Sequence, residues 1–143
     1  MKPNRILAVD YGRKRIGLAL SDELGLTAQP LATVVRTNRR DNLRRLREIC
    51  IKQGVGRIIV GHPVRMSGEA GEMADEAARF ADRLKKETGI DVELMDERLT
   101  SWEAGQIVAA MSGRKGRPLD DVAAALLLRE YLERSARRAE GKD

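Results

Sequence analysis

The sequence is poor in the residues on which several common chemistries depend. It has one cysteine and one histidine. A structural zinc site takes four ligands, almost always Cys and His, so none is encoded, and a lone cysteine excludes a disulfide framework. A single histidine also leaves little support for a nucleophile activated by imidazole. The aromatics are Tyr11, Phe80, Trp102 and Tyr131, 3% of the chain, too few for a broad base-stacking platform of the kind single-strand binders use. The longest apolar run is seven residues, Val122 to Leu128, against roughly 20 for a membrane-spanning helix. Near the N-terminus only Ile6 to Val9 are apolar before Asp10, too short for the core of a secretory signal. No repeat, low-complexity stretch or linker interrupts the chain. The expectation is one soluble, cytoplasmic domain over residues 1–143, with no membrane association. A domain of that size buries roughly two thirds of its unfolded surface and needs no covalent staples.

Charge is what the sequence has in abundance. Lys and Arg number 27 against 22 Asp and Glu, a formal net charge of +5. A basic surplus points toward polyanions, chiefly nucleic acid. The positive residues are also clustered. Arg36, Arg39, Arg40, Arg44, Arg45 and Arg47 crowd one short stretch with only Asp41 among the acids, and Arg114, Lys115 and Arg117 form a second group. Such clusters read either as a solvated helix face or as a track for phosphates.

The hydrophobic pattern is that of a mixed α/β protein. Arg5 to Asp10 reads as a buried strand, Ile16 to Leu20 as its hairpin partner and Leu31 to Val35 as a third strand, giving an antiparallel meander. The period then changes. Leu43, Leu46, Ile49 and Cys50 recur at helical spacing up to Gly54. Arg57 to Gly61 is a strand. Met73, Ala77, Phe80, Ala81 and Leu84 mark a second helix ended by Gly89, and Ile90 to Met95 is a fifth strand. Thr100 and Glu103 have capping-box spacing, so a helix should carry Ala104, Ile107, Val108 and Met111 inward. A last helix begins at Asp120 or Asp121 and runs to about Arg134, with Val122 to Leu128 expected to be buried. The order βββ-α-β-α-β-α-α predicts a mixed five-stranded sheet, a three-strand antiparallel meander followed by βα units, with helices on both faces.

Three sets of acids fall at element ends. Asp10 closes the first strand, Glu97 follows the fifth, and Asp120 and Asp121 open the last helix. Carboxylates without His or Cys suit hard cations such as Mg²⁺ or Mn²⁺, and several on one rim can hold two ions for phosphoryl displacement. The same residues also serve as turn formers and helix caps. Between the first two strands, Gly12 allows a tight turn, Gly17 leaves space beside Asp10, and Arg13, Lys14 and Arg15 either grip phosphates at the hairpin tip or form an ordinary charged turn. His62, beside Pro63, is either a loop residue or a base. There is no G-x-x-x-x-G-K-[ST], so no P-loop.

Taken together, several motifs resemble one family. These are Asp10-Tyr11-Gly12, Gly17-Leu18-Ala19-Leu20-Ser21-Asp22, Gly61-His62-Pro63, Asp96-Glu97-Arg98-Leu99-Thr100-Ser101, and Asp120 before an Ala/Leu-rich helix. Over about Arg5 to Leu132 the chain resembles the YqgF/RuvX family. The resemblance implies an RNase H-like fold related to the RuvC Holliday-junction resolvase. It also implies a nuclease that matures the 5′ end of the small-subunit ribosomal RNA precursor, in a family long labelled as junction resolvases. The family's metal-binding acids carry over to Asp10, Glu97 and Asp120. Asp121 stands where the family commonly has Ser, so Asp120 alone or both acids face the metal. His62 replaces an apolar residue, and Arg65-Met66-Ser67-Gly68 replaces a more usual Asn-Met-Asp-Gly.

The expected function is metal-dependent phosphodiester hydrolysis, with two divalent ions held by Asp10, Glu97, Asp120 and Asp121. Arg13, Lys14, Arg39, Arg40, Arg44, Arg98, Arg114 and Lys115 would bind nucleic acid through its phosphates. The substrate is an RNA precursor or, alternatively, branched DNA, and a resolvase would need a homodimer, for which no apolar seam is evident. A non-catalytic nucleic-acid module is a further alternative. A sugar-kinase or actin-like ATPase needs two lobes, and this chain has length for one.

Overall fold

The computed structural model describes residues 4–31, 33–62, 71–96 and 120–140, the last stretch without the side chains at 120, 121, 139 and 140. One sheet forms the middle layer. Its strands are β1 (Arg5–Tyr11), β2 (Arg15–Ser21), β3 (Ala28–Pro30), β4 (Val34–Val35), β5 (Val55–His62) and β6 (Asp91–Asp96). The order across the sheet is β3-β2-β1-β5-β6, with β4 also pairing β2. β1, β2 and β3 are antiparallel, whereas β5 and β6 run parallel to β1. The expected meander followed by parallel βα units is therefore present. The expected third strand is split and begins earlier. Ala19 pairs Pro30 but Ile16 pairs Val34, so the register moves by one residue and an extra residue is accommodated at the edge. Pro30 brings no N–H to the ladder, and edge strands are where proline and such irregularities are tolerated.

Helices cover both faces. α1 (Arg39–Gln53) and α2 (Glu72–Thr88) lie on one side and α3 (Asp120–Glu140) on the other. Alternation along β1 decides which residue faces which layer. Leu7 and Val9 join Ile16, Leu18, Ile58 and Val60 against Leu43, Leu46, Phe80 and Leu84. Ile6 and Ala8 join Ala19, Ile59 and Met95 against Ala124, Leu127 and Leu128 of α3. Both faces of the central strands are covered, which is why the Ile6–Val9 run is continuous rather than alternating.

The helix ends follow local chemistry. Asn38 caps α1 by accepting the Asp41 N–H at 2.9 Å, and Gly54 closes it at φ +67°, a left-handed conformation that glycine adopts without strain. α2 buries Ala74, Ala77, Phe80, Ala81 and Leu84 and stops at Gly89. α3 runs to Glu140, six residues past the expected end at Arg134. Within its apolar run Val122, Ala124, Leu127 and Leu128 are buried but Ala123 is exposed, because a helix on a sheet keeps an outward side. The helix expected from Thr100 lies outside the described residues.

Two local features give testable expectations. Cys50 is buried on α1, and burial pushes its thiol up to about 11. It is therefore protonated and unreactive at neutral pH. Native protein should resist a thiol-specific disulfide reagent at pH 7.5 and react only upon unfolding, and prompt labelling of the native state would contradict the burial. Asp22 shapes the β2–β3 turn. Its Oδ1 accepts the N–H groups of Leu26 at 2.7 Å and Thr27 at 3.1 Å. The Thr27 bond first, then that from Leu26, holds its carboxyl below the usual 3.8. A depressed folded-state pKa stabilises above the unfolded value and is lost as pH falls through the folded value. Asp22→Ala should thus be less stable than the parent at pH 6, and the two unfolding curves should converge below pH 3. A gap unchanged between those pH values would show that the charge is immaterial.

Candidate functional site

Parallel β1, β5 and β6 end on one rim of the sheet, and Asp10 stands there at the end of β1, half-buried. It shares the parity of Ile6 and Ala8, so its side chain lies on the α3 side. Its partner on β2 is Gly17. On the other side Val60 pairs Val9, and Gly61 comes next in β5. The carboxylate is therefore flanked on both neighbouring strands by residues without side chains, which leaves room beside it.

The direction of α3 places its start relative to this rim. Leu132 lies against Gly25, beyond the far end of β2, and Tyr131 and Leu132 border the same cavity as Asn4 and Ile6 at the start of β1. The C-terminal half of α3 is thus at the opposite edge of the sheet. From Leu132 back to Asp120 the helix rises about 18 Å, whereas β1 from Ile6 to Asp10 rises about 13 Å. Asp120 and Asp121, which open α3, therefore start the helix at the Asp10 end.

His62 and Asp96 pair across the ends of β5 and β6. Met95 faces α3, so Asp96 is on the opposite side from Asp10. Among the described residues no three Asp, Glu, His or Cys side chains come together as a metal site. Glu97, Arg98, Arg114 and Lys115 lie outside those residues, as do Pro63 to Gly68. Arg13 and Lys14 are exposed at the hairpin tip, where the Gly12 N–H donates to Arg15 O at 2.9 Å.

Arg39, Arg40 and Arg44 are exposed on α1, in the layer opposite α3. They do not share a face with Asp10. A phosphate track using both would have to pass round the rim. Nor is Tyr11 a platform for a base. Its ring stacks on Phe80 with centroids 4.3 Å apart, and the Arg36 guanidinium sits 4.4 Å from its centroid. Arg36 Nη1 also donates to Gly12 O at 2.9 Å and Arg13 O at 3.1 Å, holding the hairpin. Arg79 and Arg83 join Arg36 and Arg39 round a cavity on this side. The last two belong to the cluster visible in the sequence. Arg79 and Arg83 went unnoticed there, although Glu76, Arg79, Phe80 and Arg83 follow the spacing of one helix face.

Comparison with known proteins settles the kinship. The model of the RuvX family, described as Holliday junction resolvase, matches residues 4–134. The chain belongs to the RuvX family. A relative from Geobacillus kaustophilus (strain HTA426) is 45% identical over 134 residues, 90% of this chain and 97% of its own. One from Koribacter versatilis (strain Ellin345) is 44% identical over 133 residues, 91% of this chain and 87% of its own. Both carry the name "Putative pre-16S rRNA nuclease". Among solved structures, T. thermophilus RuvC in complex with a Holliday junction substrate matches with a TM-score of 0.56 at 15% identity, covering 92% of this chain and 95% of that one. The fowlpox virus Holliday junction resolvase matches with a TM-score of 0.56 at 17% identity, over 91% and 99% of the two chains. The RuvX chain thus has the mixed α/β fold of the RuvC-like, RNase H-like resolvases. No described helix is long and apolar enough to cross a membrane.

Proposed function

We propose that this RuvX chain is a metal-dependent nuclease that processes the 5′ end of the pre-16S ribosomal RNA. The observation that carries this reading is its 44–45% identity, over nine tenths of the chain, to relatives named for that activity. The placement of Asp10 supports it. A hard carboxylate stands on a strand-end rim, with glycines on either side and the start of α3 at the same end.

Asp10, Glu97 and Asp120, with Asp121 beside the last, are the proposed metal ligands. An all-carboxylate donor set fits Mg²⁺ or Mn²⁺. Bound divalent ions supply an activated water and stabilise the leaving oxygen. The chain's own residues do the rest. Asp10 fixes the hard-oxygen anchor on a rigid central strand. Arg13 and Lys14, and Arg98 with Arg114 and Lys115, hold phosphates without reading sequence. No imidazole base is required, which agrees with the single histidine.

The family description favours a second reading, cleavage of four-way DNA junctions, for which a homodimer would pair two sites. Purified protein with Mg²⁺ or Mn²⁺ should cleave a defined 16S precursor at a mapped 5′ position, and faster than it cleaves a four-way junction. Preference for the junction would establish the second reading. Cleavage of neither substrate would refute both.

A further inference from the structure

A cavity of about 350 Å³ opens on the side of the sheet away from Asp10, between the first turn of α1, one face of α2 and the β1–β2 hairpin. Arg36, Arg39, Arg79 and Arg83 stand round it, with Glu76 as the one acid among its described lining residues. Arg39, Arg79 and Arg83 make no ion pair with any described residue. Four guanidinium groups round one hollow repel one another until an anion enters.

A buried side chain points to the same ligand. Asn42 is 2% exposed and lines the cavity. Its Oδ1 accepts the Thr37 N–H at 3.1 Å and the Thr37 hydroxyl at 3.2 Å, which fixes the amide's orientation. No buried side-chain nitrogen or oxygen among the described residues lacks a partner, so the Asn42 Nδ2, which has no acceptor among them, reaches solvent and can donate to an anionic oxygen that enters the cavity. The helix end adds to this. Arg39 and Arg40 occupy the first turn of α1, where the backbone already presents positive charge and cations are unfavourable for the helix alone. That placement suits an anion held at the helix start.

We propose that this cavity is a phosphate-binding subsite that seats a backbone phosphate of the nucleic-acid strand after the strand has passed round the sheet rim from Asp10. Guanidinium forks match the tetrahedral oxygens of phosphate. The Tyr11 ring is already engaged by the stacked Phe80 ring and by the Arg36 guanidinium over it, so the ligand is the backbone and not a base. The chemistry of the pocket stands alone, whereas the nucleic-acid source of the phosphate rests on the nuclease reading.

The test combines two measurements. Inorganic phosphate is titrated while the Asn42 side-chain amide is followed by NMR. Binding of a 16S-precursor oligonucleotide is then measured by anisotropy in EDTA, where cleavage plays no part. Phosphate should shift the Asn42 amide saturably, and the oligonucleotide should displace it. An Arg79→Gln/Arg83→Gln double variant should lose the phosphate shift and bind the oligonucleotide about tenfold more weakly, with a shallower salt dependence. Asn42→Asp keeps the acceptor for Thr37 and should also weaken both. Lys85→Gln/Arg129→Gln removes the same charge elsewhere and should change affinity less than twofold.

Tight oligonucleotide binding by the parent, matched by the double variant, would overturn the subsite and leave the nuclease reading intact. A phosphate shift in a parent that binds no oligonucleotide would refute the backbone assignment and the nuclease reading together, leaving a site for free phosphate. No phosphate shift at Asn42 would overturn the pocket itself.

Discussion

Asp10→Asn will lower phosphodiester cleavage on the order of a thousandfold, the size expected when a charged group that organises the transition state is removed. The substitution keeps the shape of the side chain and deletes its charge. Asp10 ends a central strand, is only half-buried and has glycines beside it on β1's neighbours. No packed volume is lost, so the thermal midpoint should stay within a few degrees of the parent. The loss would therefore belong to chemistry and not to folding. Initial rates on the mapped precursor with Mg²⁺ and with Mn²⁺, beside circular-dichroism melts, measure both. Because traces of a contaminating nuclease mimic weak activity, this variant purified identically is also the control for the parent. Glu97→Gln and Asp120→Asn should behave alike. Asp121→Asn separates the two ways of opening α3: near-parental activity assigns the metal to Asp120 alone. Full activity in Asp10→Asn would sink the proposed site.

The elements that the sequence displayed best are those whose pattern has one physical cause. Ile6 to Val9 is continuous because β1 is covered on both faces, and Gly54 and Gly89 close helices that need a left-handed residue. The edge was harder to read. Val34 and Val35 look like the end of one strand with Leu31, but a one-residue register shift after Pro30 divides it, and register depends on the partner strand rather than on local propensity. The site divides in the same way. Asp10 stood out because a charge ends an apolar run. The cavity of Arg36, Arg39, Arg79 and Arg83 did not, because its residues come from segments far apart in sequence and exposed arginines on a helix are ordinary. The six-arginine stretch suggested one track. The fold instead puts Arg39 and Asp10 on opposite sides of the sheet, which alternation within β1 dictates and charge spacing cannot reveal.

Leu128→Ala carries the largest expected loss of stability, about 2–5 kcal/mol, and it should also impair cleavage in the molecules that remain folded. Leu128 is fully buried where α3 meets the sheet. Among the described residues its cluster includes Ala8, Ala19 and Ala124, short side chains that cannot move to fill the cavity a truncation leaves. The same layer fixes the helix that begins at Asp120. Leu46→Ala, fully buried on the other face, provides the comparison. It should cost a similar amount of stability, yet leave the rate per folded molecule nearer the parent. Denaturant midpoints give the stabilities. Cleavage rates against metal concentration, at a temperature where both variants are folded, give the function, and Leu128→Ala should need more metal for half-maximal rate. Equal metal dependence in the two variants would mean that docking of α3 does not set the metal site, and would remove Asp120 from the proposed ligands.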